Sequence, residues 1–351
     1  MKRSLTKRLT ALALAALLAV SATGCSGGNG SGSSTGSQSE SQQSSTIVLT
    51  DQAGREVTLD GPAQTLVSCY YITTYATIAL GVDDRVVGLE NKPESRPIYQ
   101  MAAPELLEQA SVGSLKEFNV EAAAALEPDL VIMPLKLQDY AGALEELGIP
   151  VLMVNQESHD LLVEMLTLIG QACGVEDRTQ ALTDYYEEQL ARVAQLVDGL
   201  ERPTVYMGGN SSYLTAAPGD MYQSSLIETA GGVNAAADLT GGYWTEVSYE
   251  SILAMAPQVI LIPAGADYTA QDILGDPQLA AVPAVQSGAV YEMPSGIEEW
   301  DSPIPSGILG TLWMTSVLHG DAYPFDTFTA DVQDFYKTFY GFEIDPALIT
   351  K

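Results

Sequence analysis

The sequence predicts an α/β protein of two related lobes with mainly parallel sheets, joined by one long backbone helix, with a ligand cleft between the lobes. Three observations predict this fold class. Short apolar runs alternate with helical patterns, which is typical of parallel sheets covered by helices. A helix–strand pattern in the first half recurs in the second half at an offset of 129 residues. The least interrupted helical pattern of the chain lies between the two halves.

The first predicted lobe spans residues 47–160. Two β-rich runs around a glycine-containing turn predict a hairpin at 47–59. Beyond Pro62, apolar runs of strand length alternate with helical patterns, two of which end at a glycine, the residue that most often terminates a helix. The predicted strands cover 65–69, 85–89, 129–133 and 150–154, and the predicted helices reach Leu80 or cover 120–126 and 140–147.

One segment of the first lobe has a counterpart in the second. Residues 120–134 (VEAAAALEPDLVIMP) align without gaps with residues 249–263 (YESILAMAPQVILIP), so that Glu121 matches Glu250. A period this long exceeds the unit of a solenoid, and it therefore indicates two related α/β lobes. The alternative is a coincidence between two ordinary helix–strand units, because the helix dipole favours an acid in any first turn.

A long helical segment, 161–201, connects the predicted lobes. Its two pieces are rich in Leu, Ala, Glu and Gln and are separated only by Gly174. The second piece would span roughly 30 Å at the rise of an α-helix, about the width of a small domain. Pro203 follows its end, and residues 202–351 form the second predicted lobe. An ordinary surface helix on one domain is the alternative.

The N-terminus has the pattern of a bacterial lipoprotein signal peptide. Two lysines and two arginines precede an apolar stretch at 9–20, which is too short to cross a membrane as a helix. Small residues then lead to Cys25. We expect residues 1–24 to be removed, Cys25 to carry the lipid, and residues 25–46 to tether the protein to the outer face of the bacterial cell membrane. Ordinary secretion with a chance cysteine is the alternative.

Composition excludes several classes of function. The chain has 351 residues, with 15 Lys plus Arg against 45 Asp plus Glu, for a formal net charge of −30. Nucleic-acid binding needs a basic surface, so we expect no nucleic-acid partner. Only 3 Cys and 2 His are present, too few for a cysteine-rich zinc site or an all-histidine metal site.

Five short motifs follow one another along the chain: LGVDDRVVG at 80–88, LEPDLVI at 126–132, GGVN at 231–234, WTEVSYE at 244–250 and VQSGAVY at 285–291. Their order and spacing resemble the substrate-binding proteins of ABC importers whose two lobes are joined by a single backbone helix. The resemblance covers about residues 47–341. Members of that family bind ferric siderophores, haem, vitamin B12 or metal ions, so the resemblance implies a monomeric binding protein rather than an enzyme.

The resemblance also implies a partner and a contact surface. In this family one glutamate on each lobe docks onto arginines of the membrane permease, which works with ATPase subunits. The matching positions are Glu121 and Glu250, the two acids that the internal repeat aligns. Two carboxylates at a fixed spacing can pair with guanidinium groups and set an orientation. The alternative is that both acids only complement the N-termini of their helices.

The ligand site is expected in the cleft, on loops beyond the strand ends. Trp244 matches a position that contacts ligand in the family, whereas Leu115 replaces a tryptophan found in B12-binding members. The aromatic loops suit a flat or large ligand, and the sequence leaves open which tyrosines take part. The candidate ligand-binding residues are Tyr70, Tyr71, Lys116, Lys136, Tyr213, Tyr243, Trp244, Glu298 and Trp300.

The ligand itself stays open between an iron complex (a siderophore or haem), a corrinoid and another metal chelate or small molecule. We expect a metal chelate or tetrapyrrole as bound ligand and no covalent cofactor besides the lipid. The alternatives from other classes are a glycan-active enzyme that uses paired acids and an adhesive lipoprotein. The sequence contains no nucleophile elbow, P-loop or zinc-protease motif. Cys69 and Cys173 form either a disulfide or two buried thiols.

Overall fold

Two β-sheets, one in each half of the chain, organise the computed structural model, which describes residues 46–241 and 243–351. The predicted signal peptide, the lipidation of Cys25 and the tether up to residue 45 lie outside the described residues. In the described ranges, no helix combines the length and the apolar content that a membrane span requires.

The predicted hairpin opens the described chain. Strands β1 (Ile47–Thr50) and β2 (Glu56–Leu59) pair antiparallel, from Ile47 opposite Leu59 to Thr50 opposite Glu56. The buried carboxylate of Asp51 holds the turn, because it accepts the backbone N–H groups of Ala53 and Arg55 and pairs with the Arg55 guanidinium at 2.7 Å. The hairpin is confirmed.

The first large sheet is entirely parallel, in the order β5-β4-β3-β8-β9. All residues of β8 and β9 are buried, as expected for strands covered on both faces. The strands are β3 (Leu66–Ser68), β4 (Val86–Leu89), β5 (Ala110–Ser111), β8 (Leu130–Pro134) and β9 (Val151–Val154), with a small hairpin of β6 (Gly113–Ser114) and β7 (Glu117–Phe118) and helices α1 (Tyr71–Leu80), α2 (Pro97–Ala102), α3 (Val120–Ala124) and α4 (Ala141–Glu145).

The second large sheet is mixed, in the order β13-β11-β10-β14-β15, with β12 also paired to β10. Strands β10, β12, β14 and β15 run parallel to one another, whereas β11 pairs antiparallel with both β10 and β13. The strands are β10 (Thr204–Gly209), β11 (Ser212–Ala216), β12 (Val233–Asn234), β13 (Thr245–Glu246), β14 (Val259–Ile262) and β15 (Val290–Glu292), and the helices are α7 (Tyr222–Thr229), α8 (Tyr249–Met255), α9 (Ala270–Leu274) and α10 (Pro283–Ser287).

Two helices occupy the predicted connecting segment, and they have different neighbours. Helix α5 (His159–Cys173) packs against α1 and β1 of the first half. Helix α6 (Glu176–Val197) packs against α5 and α7 and against α11 (Ile308–Leu318), which in turn packs on α12 (Phe325–Phe339). Gly174 separates α5 from α6 in a left-handed conformation, with φ +68°. Helix α6 is therefore the element that leads from the first sheet to the second.

The internal repeat is a repeat of structure. Each copy is a short helix followed by a parallel strand, α3–β8 and α8–β14. The side chains of Asn119 and Ser248 cap the two helices by accepting the backbone N–H three residues ahead. Glu127 and Ala256 both adopt a left-handed backbone, with φ +47° and +46°. All these pairs share the offset of 129 residues, so the matched pattern reflects a matched backbone.

The two cysteines of the described chain are free thiols. Cys69 and Cys173 are both buried, and no disulfide joins them. Burial raises the pKa of the Cys173 thiol to about 11, and burial together with the charge of Glu90 raises the pKa of Cys69 further. Both thiols are therefore neutral and unreactive.

Candidate functional site

A cavity of about 310 Å³ lies between residues of the two sheets. Its walls are loops at the carboxyl ends of strands, the edge at which open α/β sheets bind ligands. Tyr70 follows β3, Arg96 follows β4 and Lys136 follows β8. From the second half, Asn210 follows β10 and Glu299 follows β15. The cavity therefore occupies the position that the sequence predicts for the ligand.

Aromatic side chains form part of the wall. Tyr70 and Tyr71 lie at the start of α1 with ring centroids 4.5 Å apart, edge to face. Their turn is fixed from beneath, because Ser68 and Thr73 share a hydrogen bond of 2.6 Å and Thr73 donates to the Tyr70 carbonyl at 2.7 Å. On the other side lie Trp244 and Tyr243, whose side chain is 72% exposed. These rings offer stacking surface to a flat ligand.

An ion pair across the cavity joins the two halves of the chain. Arg96 donates from Nη1 to Oε1 of Glu299 at 2.6 Å, and its guanidinium lies 4.0 Å from the centroid of the Tyr71 ring. Tyr75 donates its hydroxyl to Oε2 of Glu299 at 3.1 Å. Burial lowers the pKa of Arg96, but the charge of Glu299 and the neighbouring tyrosines outweigh this effect and raise the pKa above its usual value, so the guanidinium keeps its charge.

The cavity carries more carboxylates than cations. Lys136 pairs with Glu157 at 3.2 Å, and both side chains are more than half exposed. Among the described lining residues, Arg96 and Lys136 are the cations, whereas Glu157, Asp220, Glu299 and Asp301 supply carboxylates. Each cation has a carboxylate partner within the cavity wall. The arrangement is unlike a site built for a strongly anionic ligand.

Two lining residues hold a buried polar atom that lacks a partner. Asp301 is 3% exposed, and no described group is within hydrogen-bond reach of its Oδ1. Burial raises the pKa of Asp301 to about 7, because desolvation outweighs the opposing hydrogen bonds from backbone N–H groups and Gln223. The Tyr222 hydroxyl is likewise buried and unpaired, beside the turn at Gly307. Unpaired buried polar groups are rare, and because these two residues line the cavity, a ligand or solvent there could supply the missing partner.

The structure brings five of the predicted ligand-binding residues to the cavity. They are Tyr70, Tyr71, Lys136, Tyr243 and Trp244.

Glu298 and Trp300 do not line the cavity, and this corrects their predicted placement there. Trp300 is 0% exposed and donates from Nε1 to the Tyr336 hydroxyl at 2.9 Å. Glu298 is also buried and accepts from the hydroxyls of Tyr336 at 2.6 Å and Tyr340 at 3.1 Å. The segment alternates direction, so that 298 and 300 enter the core while 299 and 301 line the cavity. The prediction placed residues 298 and 300 at the cavity, whereas residues 299 and 301 line it.

Lys116 and Tyr213 also lie away from the cavity wall. Lys116 is exposed in the turn between β6 and β7. Tyr213 donates its hydroxyl to Asp276 at 2.9 Å and packs edge to face on Tyr268, with centroids 5.3 Å apart. Lys116 follows β6 in a turn, whereas Tyr213 lies within β11, and neither side chain lines the cavity.

Sequence reasoning missed Arg96, Glu299 and Asp301. Arg96 lies between Pro93 and Pro97 in the connection from β4 to α2, and this proline-bounded arginine was the available signal. Glu299 and Asp301 are neighbours of the predicted residues Glu298 and Trp300, but the direction of their side chains depends on the register of the chain beyond β15.

The matched glutamates occupy equivalent, exposed positions. Glu121 and Glu250 each lie in the first turn of a short helix that leads into a parallel strand. Hydrogen bonds from its own backbone N–H and from Ser248 lower the pKa of Glu250, so the carboxylate is ionised at neutral pH.

No set of three or more His, Cys, Asp or Glu side chains in the described ranges is placed to hold a metal ion. His319 is buried near the end of α11, with Nε2 3.3 Å from the Gly231 carbonyl oxygen. His159 contacts the rings of Tyr186 and Tyr222, and burial lowers its pKa. Both histidines are therefore packed within the fold.

The sequence is similar to those of two named binding proteins over more than half of the chain. The molybdate-binding protein MolA of Haemophilus influenzae is 27% identical over 330 residues, which cover 85% of this chain and 92% of that protein. A cobalamin-binding protein of Halobacterium salinarum is 29% identical over 222 residues, covering 62% of this chain and 58% of that protein.

Solved structures agree with this grouping. A periplasmic solute binding protein from Veillonella parvula has a TM-score of 0.76 and 26% identity, covering 87% of this chain and 95% of that one. The molybdate-bound MolA of Haemophilus influenzae has a TM-score of 0.75 at 23% identity, covering 85% and 99%, which supports the two-lobed fold. The family model described as periplasmic binding protein matches residues 66–296. The chain therefore belongs to the periplasmic binding protein family.

Proposed function

We propose that this chain is the lipid-anchored, extracytoplasmic substrate-binding component of an ABC importer. It captures an iron complex (a siderophore or haem) or a corrinoid and delivers it to a membrane permease. The observation that carries the proposal is the cavity at the carboxyl ends of strands from both sheets, walled by Tyr70, Tyr71 and Trp244. Family membership supports a binding role rather than catalysis.

The ligand class rests on the chemistry of the cavity wall. Aromatic faces favour an organic ligand with flat or conjugated parts, because stacking burial of such rings is strongly stabilising. The name of the cobalamin-binding relative supports a corrinoid. A free oxyanion is the second candidate, because the molybdate-binding relative matches 92% of its own length.

Docking to the permease is assigned to Glu121 and Glu250. Both carboxylates are exposed, and each lies on the same structural unit of its own half of the chain. Exposed carboxylates on rigid helix starts can form bidentate pairs with arginines of a partner, which would fix the orientation of docking. A lipid on Cys25 would hold the protein close to that partner, with residues 25–46 as the tether.

The test combines ligand titration with uptake by cells. The full chain is purified in detergent and titrated with haemin, cyanocobalamin, ferric siderophores and molybdate, and uptake of the bound compound is measured in cells that express the importer. The double variant Glu121→Ala with Glu250→Ala should keep its affinity and lose uptake, whereas Trp244→Ala should lose affinity at least tenfold while staying folded.

Two results would contradict the proposal. If no compound of the panel binds below about 10 µM, the chain does not capture this class of ligand. If the double glutamate variant loses affinity, the two acids belong to the ligand site and not to a docking surface.

A further inference from the structure

The charges around the cavity constrain the ligand more closely than its shape does. Arg96 and Lys136 are each paired with a carboxylate, at 2.6 and 3.2 Å, so neither offers a free positive charge. Asp220 and Asp301 line the same cavity as Glu157 and Glu299, so that the described wall holds four acids against two cations. An anionic ligand would therefore enter a region where acidic side chains outnumber basic ones and where the charge of each cation is already offset by a carboxylate.

Asp301 supplies the second observation. Its side chain is 97% buried by the fold, yet no described donor satisfies Oδ1, although the residue lines the cavity. Leaving a carboxyl oxygen buried and unpaired is unfavourable, and a ligand that donates a hydrogen bond to it removes that penalty. Above its pKa of about 7, the ionised Asp301 carboxylate would also repel an anionic oxygen placed there.

Asp301 has another acid, and not a cation, as its main charged neighbour. Glu299 is the charged neighbour that most affects it, and Gln223 and backbone N–H groups are its hydrogen-bond partners. Burial and the charge of Asp301 both raise the pKa of the neighbouring Tyr222. Arg96 does not neutralise this corner, because its guanidinium is engaged by Glu299 and stacked on Tyr71.

We infer that the site selects a neutral or cationic ligand that donates a hydrogen bond from an amine, amide or hydroxyl group to Asp301, and that it discriminates against anionic ligands of the same size. This inference rests on the proposed function and narrows its ligand class. Amide-rich corrinoids and siderophores that carry an ammonium group meet the requirement. Haem with its propionates, ferric tris-catecholates and molybdate do not.

The test compares probes of opposite charge on the full chain in detergent. Calorimetric titration with cyanocobalamin (neutral, with many amides) and ferrioxamine B (cationic, with a free ammonium) is set against haemin, ferric enterobactin and molybdate. At least one of the first two should bind tenfold or more tightly than every anionic probe. Asp301→Asn should weaken that binding by roughly 10- to 100-fold, the range of a hydrogen bond to a charged group.

Controls separate the local carboxylate from a general charge effect. Asp198→Asn removes one negative charge at an exposed position after α6 and should leave the affinity unchanged. If Asp301→Asn fails to fold, as seen by thermal melting, Glu299→Gln gives an independent measurement. That variant frees Arg96 from its partner and should improve the relative affinity for the anionic probes about tenfold.

The outcomes distinguish this inference from the proposed function. Saturable, tight binding of an anionic probe in preference to the neutral and cationic ones would overturn the inference and leave the capture function standing. Unchanged affinity in both Asp301→Asn and Glu299→Gln would also overturn it. If the wild-type protein binds none of the probes, the proposed function is overturned, and the inference with it.

Discussion

The ion pair between Arg96 and Glu299 links two parts of the chain that are 203 residues apart, and its strength can be measured. The two side chains are 25% and 31% exposed, and the N–O distance is 2.6 Å. Exposed pairs contribute about 0.2–1 kcal/mol, and hydrogen bonds to charged groups in partly buried sites contribute about 1.5–3 kcal/mol. We therefore expect a coupling energy of about 1–1.5 kcal/mol between Arg96→Gln and Glu299→Gln.

A double-mutant cycle measures this coupling. The free energy of unfolding in urea is determined for the wild type, the two single variants and the double variant. The stacking of Arg96 on Tyr71 adds to the loss in the arginine variant but cancels from the coupling term. The exposed pair of Lys136 and Glu157 is the matched control, with an expected coupling below about 0.5 kcal/mol. A coupling below about 0.3 kcal/mol for the first pair, within the error of additivity, would refute the reasoning.

Two further predictions concern buried polar groups. Tyr222→Phe removes a hydroxyl that is buried without a partner, so it should raise the free energy of unfolding by about 1 kcal/mol and the melting temperature by about 2–4 °C; an unchanged or lower melting temperature would mean that solvent satisfies the hydroxyl. Burial raises the pKa of Glu298 from 4.5 to about 7, so the folded protein binds more protons than the unfolded chain between these values and loses stability as the pH rises. The melting temperature of Glu298→Gln relative to the wild type should therefore increase from pH 5 to pH 7.5, and a constant difference would contradict the assignment.

Local patterns were sufficient to predict most of the architecture. The hairpin, the parallel strands and the long helix depend on apolar periodicity and on turn residues that act within a few positions. The repeat at 120–134 and 249–263 was informative because proline, capping residue and apolar run constrain the same backbone twice. Strands β11 and β13, which pair antiparallel at one side of the second sheet, were not predicted. Strand β13 has only two residues, too few for a recognisable pattern.

The site was predicted only in part, for two physical reasons. Residues immediately after a strand, such as Tyr70 and Lys136, can be located because the strand end sets their position. Glu299 lies several residues beyond β15, where the direction of each side chain depends on tertiary packing. Trp300 is buried in the core, and the preceding side chain, Glu299, lines the cavity. Arg96 reaches the cavity through its contact with Glu299, which no local pattern encodes.

The duplicated helix–strand unit has a consequence for communication. Each copy presents one exposed glutamate from the first turn of a helix that leads into a strand of its sheet. The distance between Glu121 and Glu250 therefore depends on how far apart the two sheets lie. Under the proposed docking, a permease that binds both carboxylates would contact the same structural unit in each half of the chain, so any change in the separation of the two sheets would change the separation of its contacts.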